Sequence, residues 1–217
     1  MKVAVMGAGI GGLTLALMLH QRGIEVELWE AVGQMRPLGV GINLLPHAVK
    51  ELTELGLQET LAASAIATST LAYYNKFGQP IWSEARGLAA GYAWPQFSIH
   101  RGDLQMSLYR AAEQRLGVDH VHAGHVFESF EQDEHGVTCM LRRRSDDQLV
   151  TTSADVLVGA EGIHSVLRRL LHPIGDEPRF SGRMLWRAVT EAEPYLDGRS
   201  MFMAGHQDQK FVAYPIS

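Results

Sequence analysis

Cysteine is almost missing from this chain: Cys139 is the only one in 217 residues. No intrachain disulfide can form, and a cysteine-based metal site is excluded. Cys139 lies in the alternating run Val137, Cys139, Leu141, which predicts a buried, inert thiol. Positive charge is also short, with a net charge of −5, so there is no electrostatic footprint for nucleic acid or an anionic membrane surface. The one basic run, Arg142-Arg143-Arg144, is followed by Asp146 and Asp147 and reads as a solvated hairpin end. The apolar N-terminal stretch is too glycine-rich for a membrane span. The N-terminal segment, Lys2 and the apolar residues after it, mimics a signal peptide, but glycines break it and no small-residue cleavage pattern precedes His20. A cytoplasmic protein is expected. Internal repeats, low-complexity segments and a Gly-x-Ser-x-Gly nucleophile elbow are all absent. His164 and Ser165 are neighbours, but adjacent helical positions point about 100° apart, so a Ser/His hydrolase is excluded.

What the chain does have is an ordinary globular composition, 46% hydrophobic and 20% charged, and enough length for a sizeable core. Its most informative segment is Gly7-Ala8-Gly9-Ile10-Gly11-Gly12. The apolar run Val3 to Met6 precedes it and the helical pattern Leu13, Leu17, Met18 follows it. Strand, tight turn and helix in this order suit a dinucleotide pyrophosphate. Gly7 permits the turn, Gly9 lets backbone approach phosphate, and Gly12 lets helix pack on strand. The helix N-terminus then offers free N–H groups and the positive end of its dipole. A second strand, Glu25 to Trp29, ends in Glu30, whose carboxylate can accept hydrogen bonds from ribose hydroxyls. A 2′-phosphate there would meet like charge, so the site suits FAD or NAD rather than NADP.

Further along, the first helix is expected from Ile10 to about Arg22, stopping at Gly23. The stretch Ala31 to Leu44, with Gly33, Pro37, Gly39 and Gly41, reads as a long ligand-contacting loop. Pro46 opens a helix with Val49, Leu52 and Leu55 on one face, closed by Gly56. Thr68 to Trp82 reads as an antiparallel hairpin turning at Gly78. Phe97 to His100 is a short strand leading into a helix with Leu104, Leu108, Ala111, Ala112 and Leu116 on its apolar face. Phe127 to Thr152 reads as an antiparallel pair. Asp155 to Val158 reads as a buried strand entering Gly159-Ala160-Glu161-Gly162, with a helix continuing to Leu171. Beyond Arg179, alternation at Met184, Trp186 and Ala188, then Met201-Phe202-Met203, then Phe211 to Tyr214, predicts a second, mostly antiparallel sheet.

Three elements now stand in order: the glycine turn with Glu30, His100-Arg101-Gly102-Asp103-Leu104-Gln105, and Asp155 through Arg168. In this order the chain resembles the flavin-dependent aromatic hydroxylases of the p-hydroxybenzoate hydroxylase type, the class A flavoprotein monooxygenases. The stretches around Arg36 to Asn43, Ser98 to Gln105 and Asp155 to Ser165 are most similar to members acting on phenazines. The resemblance implies an α/β fold: a Rossmann-like FAD-binding domain, mainly parallel sheet with an inserted antiparallel hairpin, plus the start of an antiparallel substrate-domain sheet. Residues 1–67 and 98–172 would form the discontinuous FAD-binding domain, and 68–97 with 173–217 a partial substrate-binding domain. The family's third motif, a Gly-Asp pair at the flavin ribityl chain, is missing, so the chain looks like about the first half of such an enzyme.

By that resemblance, Gly7, Ala8, Gly9, Ile10, Gly11 and Gly12 cradle the FAD pyrophosphate and Glu30 binds the adenosine ribose. Arg36 and the backbone of Val40, Gly41 and Ile42 lie along the ribityl chain and isoalloxazine. Arg101 is similar to the arginine that pairs with the FAD phosphates, with Gln105 one turn later facing the same ligand. Independently, the planar guanidinium fork suits phosphate, and positions i and i+4 share a helix face. A surface ion pair is the competing role for Arg101. Val126 matches the position whose backbone meets adenine; strand core is its other reading. Glu161 stands where the family usually has aspartate, in a motif serving both FAD and the nicotinamide cofactor; alternatively it is a helix N-terminal acid. Trp186 and Tyr214 could meet substrate, or pack as sheet aromatics. His120, His122 and His125 lack the cysteines and spaced carboxylates of a metal shell, and no metal is expected.

The activity implied is oxygen insertion from O2 into a small aromatic, phenazine-like substrate through a flavin C4a-hydroperoxide, with NADH or NADPH reducing FAD. The cofactor supplies the reactive oxygen, so no catalytic side chain is named. No nucleic acid or membrane partner is expected, and a homodimer is carried as an expectation. Two alternatives stand beside this reading: a catalytically silent FAD-binding fragment, and an NAD-dependent dehydrogenase.

Overall fold

Four apolar residues in succession, Val3 to Met6, leave no solvent face, and in the computed structural model β1 (Lys2–Met6) buries all four, as a central parallel strand must. The structure describes residues 1–175 and 177–217; Asp176, inside the 173–217 span, lies outside them. The chain forms two units, Met1–Arg36 with Gln105–Leu185, and Pro37–Leu104 with Trp186–Ser217.

After β1 come α1 (Ile10–Gln21) and β2 (Glu25–Glu30). Then follow β3 (Gly41–Leu44), α2 (Pro46–Glu54), α3 (Gln58–Ala62), β4 (Ala65–Thr68), the hairpin β5 (Thr70–Asn75) and β6 (Pro80–Ala85), and β7 (Gln96–His100). The helix α4 (Arg101–Leu116) leads to β8 (Val121–Ala123), β9 (His125–Gln132), β10 (Val137–Arg143), β11 (Leu149–Ala154), β12 (Val156–Gly159) and α5 (Val166–Leu171). The last strands are β13 (Ser200–Gly205) and β14 (Lys210–Ala213).

In the first unit, β12-β1-β2-β8 is a four-stranded parallel sheet, with Val3 opposite Val26 and Val156. An antiparallel sheet of order β11-β10-β9 packs against it. Between them lie Ala4, Met6, Trp29, Phe127, Cys139 and Leu141, a core closed by Leu167 of α5. The expected α/β fold, with a parallel sheet and antiparallel sheets, is present.

The second unit holds two sheets of order β3-β7-β4 and β14-β13-β5-β6. In the first of these, β7 is central and antiparallel to both neighbours. Its Ser98 hydroxyl donates to Asn43 Oδ1 and sits 2.6 Å from the Thr68 hydroxyl, a polar relay across three strands that satisfies otherwise buried groups. The shared sheet explains why 37–67 and 98–104 pack together here, whereas the sequence reading grouped 1–67 with 98–172.

Four local expectations are corrected. The stretch Ala31 to Leu44 is not loop throughout: its last four residues are β3, because β7 offers them backbone partners from His100 to Phe97. The apolar run after Asp155 forms β12 at a sheet edge, with Val156 41% exposed, since it has a neighbour on only one side. Phe127 to Thr152 contributes to three strands rather than a pair. No strand is present at Met184, Trp186 and Ala188, where alternation found no neighbouring strand to complete a ladder. The sheet begins instead at β13, which runs parallel to β5 and antiparallel to β14.

Candidate functional site

The glycine turn is built by close backbone approach. Gly7 has φ +108°, and a Cβ there would stand 2.5 Å from the Ala160 carbonyl oxygen. A Cβ on Gly12 would stand 1.9 Å from the Gly7 carbonyl oxygen, so only glycine lets α1 seat this tightly on the end of β1. At Gly9 and Gly11 the same test meets nothing within 4 Å, leaving the outer side of the turn open. The turn is fixed further by Gly7 N–H donating to Trp29 O at 2.7 Å and Ala160 N–H donating to Met6 O at 2.7 Å. The Gly159–Gly162 segment therefore abuts the Gly7 turn, and the first and third sequence elements meet within one unit.

Ala8 is held from both sides. Its N–H donates to Glu30 Oε2 at 2.7 Å, and its carbonyl accepts from Gln105 Nε2 at 2.9 Å. The other Glu30 oxygen accepts from Val32 N–H at 2.7 Å. This carboxylate keeps lone pairs for further donors such as ribose hydroxyls.

The N-terminus of α1 has no capping side chain and no acid in its first turn. Among the described residues, the N–H groups of Gly9, Ile10 and Gly11 have no acceptor. Orphan N–H groups, a helix dipole and a face without Cβ atoms make a cradle for a diphosphate. The residues present fit an adenine dinucleotide.

Tyr109, one turn beyond Gln105 on α4, did not figure in the sequence reading. Burial, then the carboxylates of Glu113 and Glu30, hold its phenol above the ordinary value of 10. Its spacing of four from Gln105 was the available signal. Behind Glu30, the Trp29 ring stacks on His122 at 3.8 Å, with His125 edge-on at 5.1 Å. The histidine cluster is thus part of an aromatic stack. No group of three metal-ligating side chains occurs among the described residues.

Glu161 accepts from Ser165 Oγ at 2.6 Å and from the N–H groups of Val166 and Leu167. Its carboxylate caps α5, the second of the two roles set out for it. Val126 pairs with Arg142 on β10. Arg36 donates to Gln34 Oε1 at 3.1 Å. A surface hollow of about 690 Å³ lies beside α5, with His164, Arg168, Arg169, His172 and Arg179 in its wall.

In the second unit, Arg101 opens α4 with its N–H on Val40 O at 2.8 Å. Its side-chain stem passes Gly39 (φ +128°), where a Cβ would crowd it at 3.4 Å. The Arg101 guanidinium has no ion pair among the described residues, so the competing surface-bridge role is not observed. Gly41 is buried under the Tyr214 ring, which a Cβ would meet at 2.6 Å, and its carbonyl accepts from Arg187 at 2.6 Å. The structure therefore brings Val40, Gly41, Arg101 and Tyr214 together. Ile42 pairs with Ile99 on β7. Trp186 is 87% exposed and off the sheet, so neither a strand position nor a packed sheet aromatic describes it.

A nucleotide cradle ending in a carboxylate, on a parallel sheet, defines a dinucleotide-binding fold. The FAD binding domain family matches residues 1–205, and the chain belongs to it. It is 45% identical to the phenazine 1,6-dicarboxylic acid hydroxylase PhzS of Lysobacter antibioticus, over 99% of this chain and 54% of that protein. It is 32% identical to the 3-amino-4-hydroxybenzoate 2-monooxygenase of Streptomyces cremeus, over 100% of this chain and 54% of that protein. The structure of Klebsiella pneumoniae HpxO complexed with FAD and uric acid superposes with a TM-score of 0.76 at 26% identity, over 100% of this chain and 54% of that one. The chain spans about half the length of these relatives. No helix among the described residues is long and apolar enough to cross a membrane.

Proposed function

We propose that this chain is the FAD-binding portion of a cytoplasmic aromatic monooxygenase that uses NADH or NADPH and O2 on a small, phenazine-like aromatic substrate. The observation that carries the reading is the uncapped α1 N-terminus beside Ala8, clamped by Glu30 and Gln105. Bound FAD would supply the oxygen-activating chemistry. The protein's own part is to seat the diphosphate on α1, take the ribose on Glu30 and meet phosphate charge with Arg101. We assign Val40, Gly41, Ile42 and Arg36 to the ribityl and isoalloxazine portion, Val126 to adenine, and Tyr214 and Trp186 to the substrate side. By ligand rather than packing, 1–67 with 98–172 would serve FAD and 68–97 with 173–217 the substrate. Support for a phenazine-like substrate comes from the identity to PhzS. The basic hollow beside α5 supports an anionic nicotinamide reductant approaching the Gly159–Arg168 segment.

The coverage of about half of each relative favours one second reading, FAD binding without turnover. Family membership argues against the NAD-dependent dehydrogenase. The test is titration of the purified chain with FAD, followed by NADH and NADPH oxidation with and without a phenazine carboxylate. Tight FAD binding with substrate-stimulated oxidation supports the enzyme. Binding alone supports the second reading, and no binding overturns both.

A further inference from the structure

The Gln105 amide reaches 97 positions back along the chain to the Ala8 carbonyl, and no other donor on that oxygen is recorded among the described residues. An Ala8 oxygen aimed along α1 would take the Gly12 N–H in an ordinary helical bond; that bond is absent. Gly9 is the extended N-cap of α1 (φ −69°, ψ 173°), so the Ala8 carbonyl lies outside the helical ladder and takes the Gln105 amide as its donor instead. Every described peptide bond is trans, and in a trans peptide the C=O and the following N–H point in opposite directions. The Gly9 N–H is therefore turned away from Gln105, and it has no acceptor among the described residues. The preceding peptide is pinned too, because Ala8 N–H is held by Glu30.

We infer that Gln105 is a positioning residue: it touches no phosphate itself but sets the Ala8–Gly9 peptide plane so that the Gly9 N–H is presented to the dinucleotide diphosphate. The inference rests on the FAD reading for the identity of the anion, and on the geometry alone for the peptide plane. The two parts fail separately. Gly9 has an open face and an ordinary φ of −69°, so no crowding at Gly9 itself fixes this plane, and Gln105 and Glu30 clamp the two peptides that meet at Ala8.

The experiment is amide NMR of the 15N-labelled 217-residue chain, without ligand and with FAD, for the parent and for Gln105→Met. Methionine keeps the length and loses the donor. In the ligand-free variant the Ala8 and Gly9 resonances are expected to shift while those of β9 to β11 stay in place. FAD affinity is expected to fall about 3- to 10-fold, the range one neutral hydrogen bond supports. Gln105→Glu, which can only accept, should lose at least as much. In the parent, Gly9 N–H should exchange freely without ligand and become protected with FAD, a readout needing no variant. Unmoved Ala8 and Gly9 resonances alongside weakened FAD binding would show direct contact and overturn the positioning role. Unchanged affinity would overturn it as well. No FAD binding by the parent would sink the FAD reading, and the ligand-free spectra would still decide the peptide plane.

Discussion

The carboxylate of Glu30 lies 2.7 Å from the backbone nitrogen of Ala8, joining the end of β2 to the glycine turn 22 residues earlier. Its second oxygen holds Val32. One side chain thus fixes the turn and the exit from β2, and in the proposed reading it is also the acceptor for a ribose. Glu30→Ala removes charge-assisted hydrogen bonds worth about 1.5–3 kcal/mol. FAD affinity measured by calorimetry is expected to fall at least tenfold, with a lowered melting temperature from the two freed N–H groups. Unchanged affinity would remove Glu30 from the site.

Two glycines in the same turn answer differently to alanine. At Gly12 the new Cβ meets backbone at 1.9 Å, and Gly12→Ala is expected to cost about 3 kcal/mol or more. At Gly9 the Cβ meets nothing, so Gly9→Ala should leave thermal stability nearly unchanged while weakening FAD binding. Equal destabilisation by both substitutions in denaturant unfolding would contradict the division of labour.

Periodicity and turn residues made the elements legible where the signal is local. The run Val3 to Met6, the stop at Gly23 and the face of α4 each depend on a few neighbouring residues. The glycine turn was legible for the same reason. What escaped depends on distant partners. β3 is a strand only because β7 lies beside it, and Trp186 is not on one because nothing does. The capping role of Glu161 required knowing that the Gly162–His164 turn folds α5 back onto its carboxylate. The family resemblance put Gln105 toward the ligand and spacing put it on one face with Arg101, but its partner, the Ala8 carbonyl, is visible only in three dimensions.

Acid sensitivity follows from the stack behind Glu30. Burial, against the pull of Glu27 and aided by His125, His120 and Lys2, holds His122 below its ordinary value of 6.5. Burial would raise Glu27, but hydrogen bonds from Lys2 and Thr152 outweigh it and hold the group below 4.5. Both folded-state values are depressed, so both contributions are present at neutral pH and are lost on acidification. The His122 contribution fades as pH drops below 6.5 and the Glu27 contribution below 4.5. His122→Phe keeps a ring against Trp29 and removes the first of these. Urea unfolding at a series of pH values should show a flatter profile above 4.5 for the variant than for the parent. Superimposable profiles would rule the titration out.

Cys139 is fully buried between Phe130 and Thr152 on neighbouring strands, and burial pushes its thiol up to about 11. The folded chain should resist thiol reagents at mildly alkaline pH and react fully in concentrated guanidinium. Cys139→Ser puts a hydroxyl into the apolar core of the first unit and should cost about 1–3 kcal/mol. Rapid labelling of the native chain would mean that β9, β10 and β11 open readily.

Arg101 offers the sharpest separation of binding from stability. Its backbone is committed to Val40, while its guanidinium has no ion pair among the described residues. Removing the charge should therefore cost the fold little. Arg101→Met is expected to keep the melting temperature within a degree or two of the parent. Its FAD affinity should drop by tenfold or more, the scale of a charge-assisted bond to phosphate. Arg101→Lys retains charge without the planar fork and should recover only part of that loss. Raising the salt concentration should weaken FAD binding in the parent and the lysine variant more than in the methionine variant, because screening acts on a charge that methionine lacks. A methionine variant that binds FAD as tightly as the parent, at every salt concentration, would free Arg101 from the phosphate role and leave its side chain without an assigned partner.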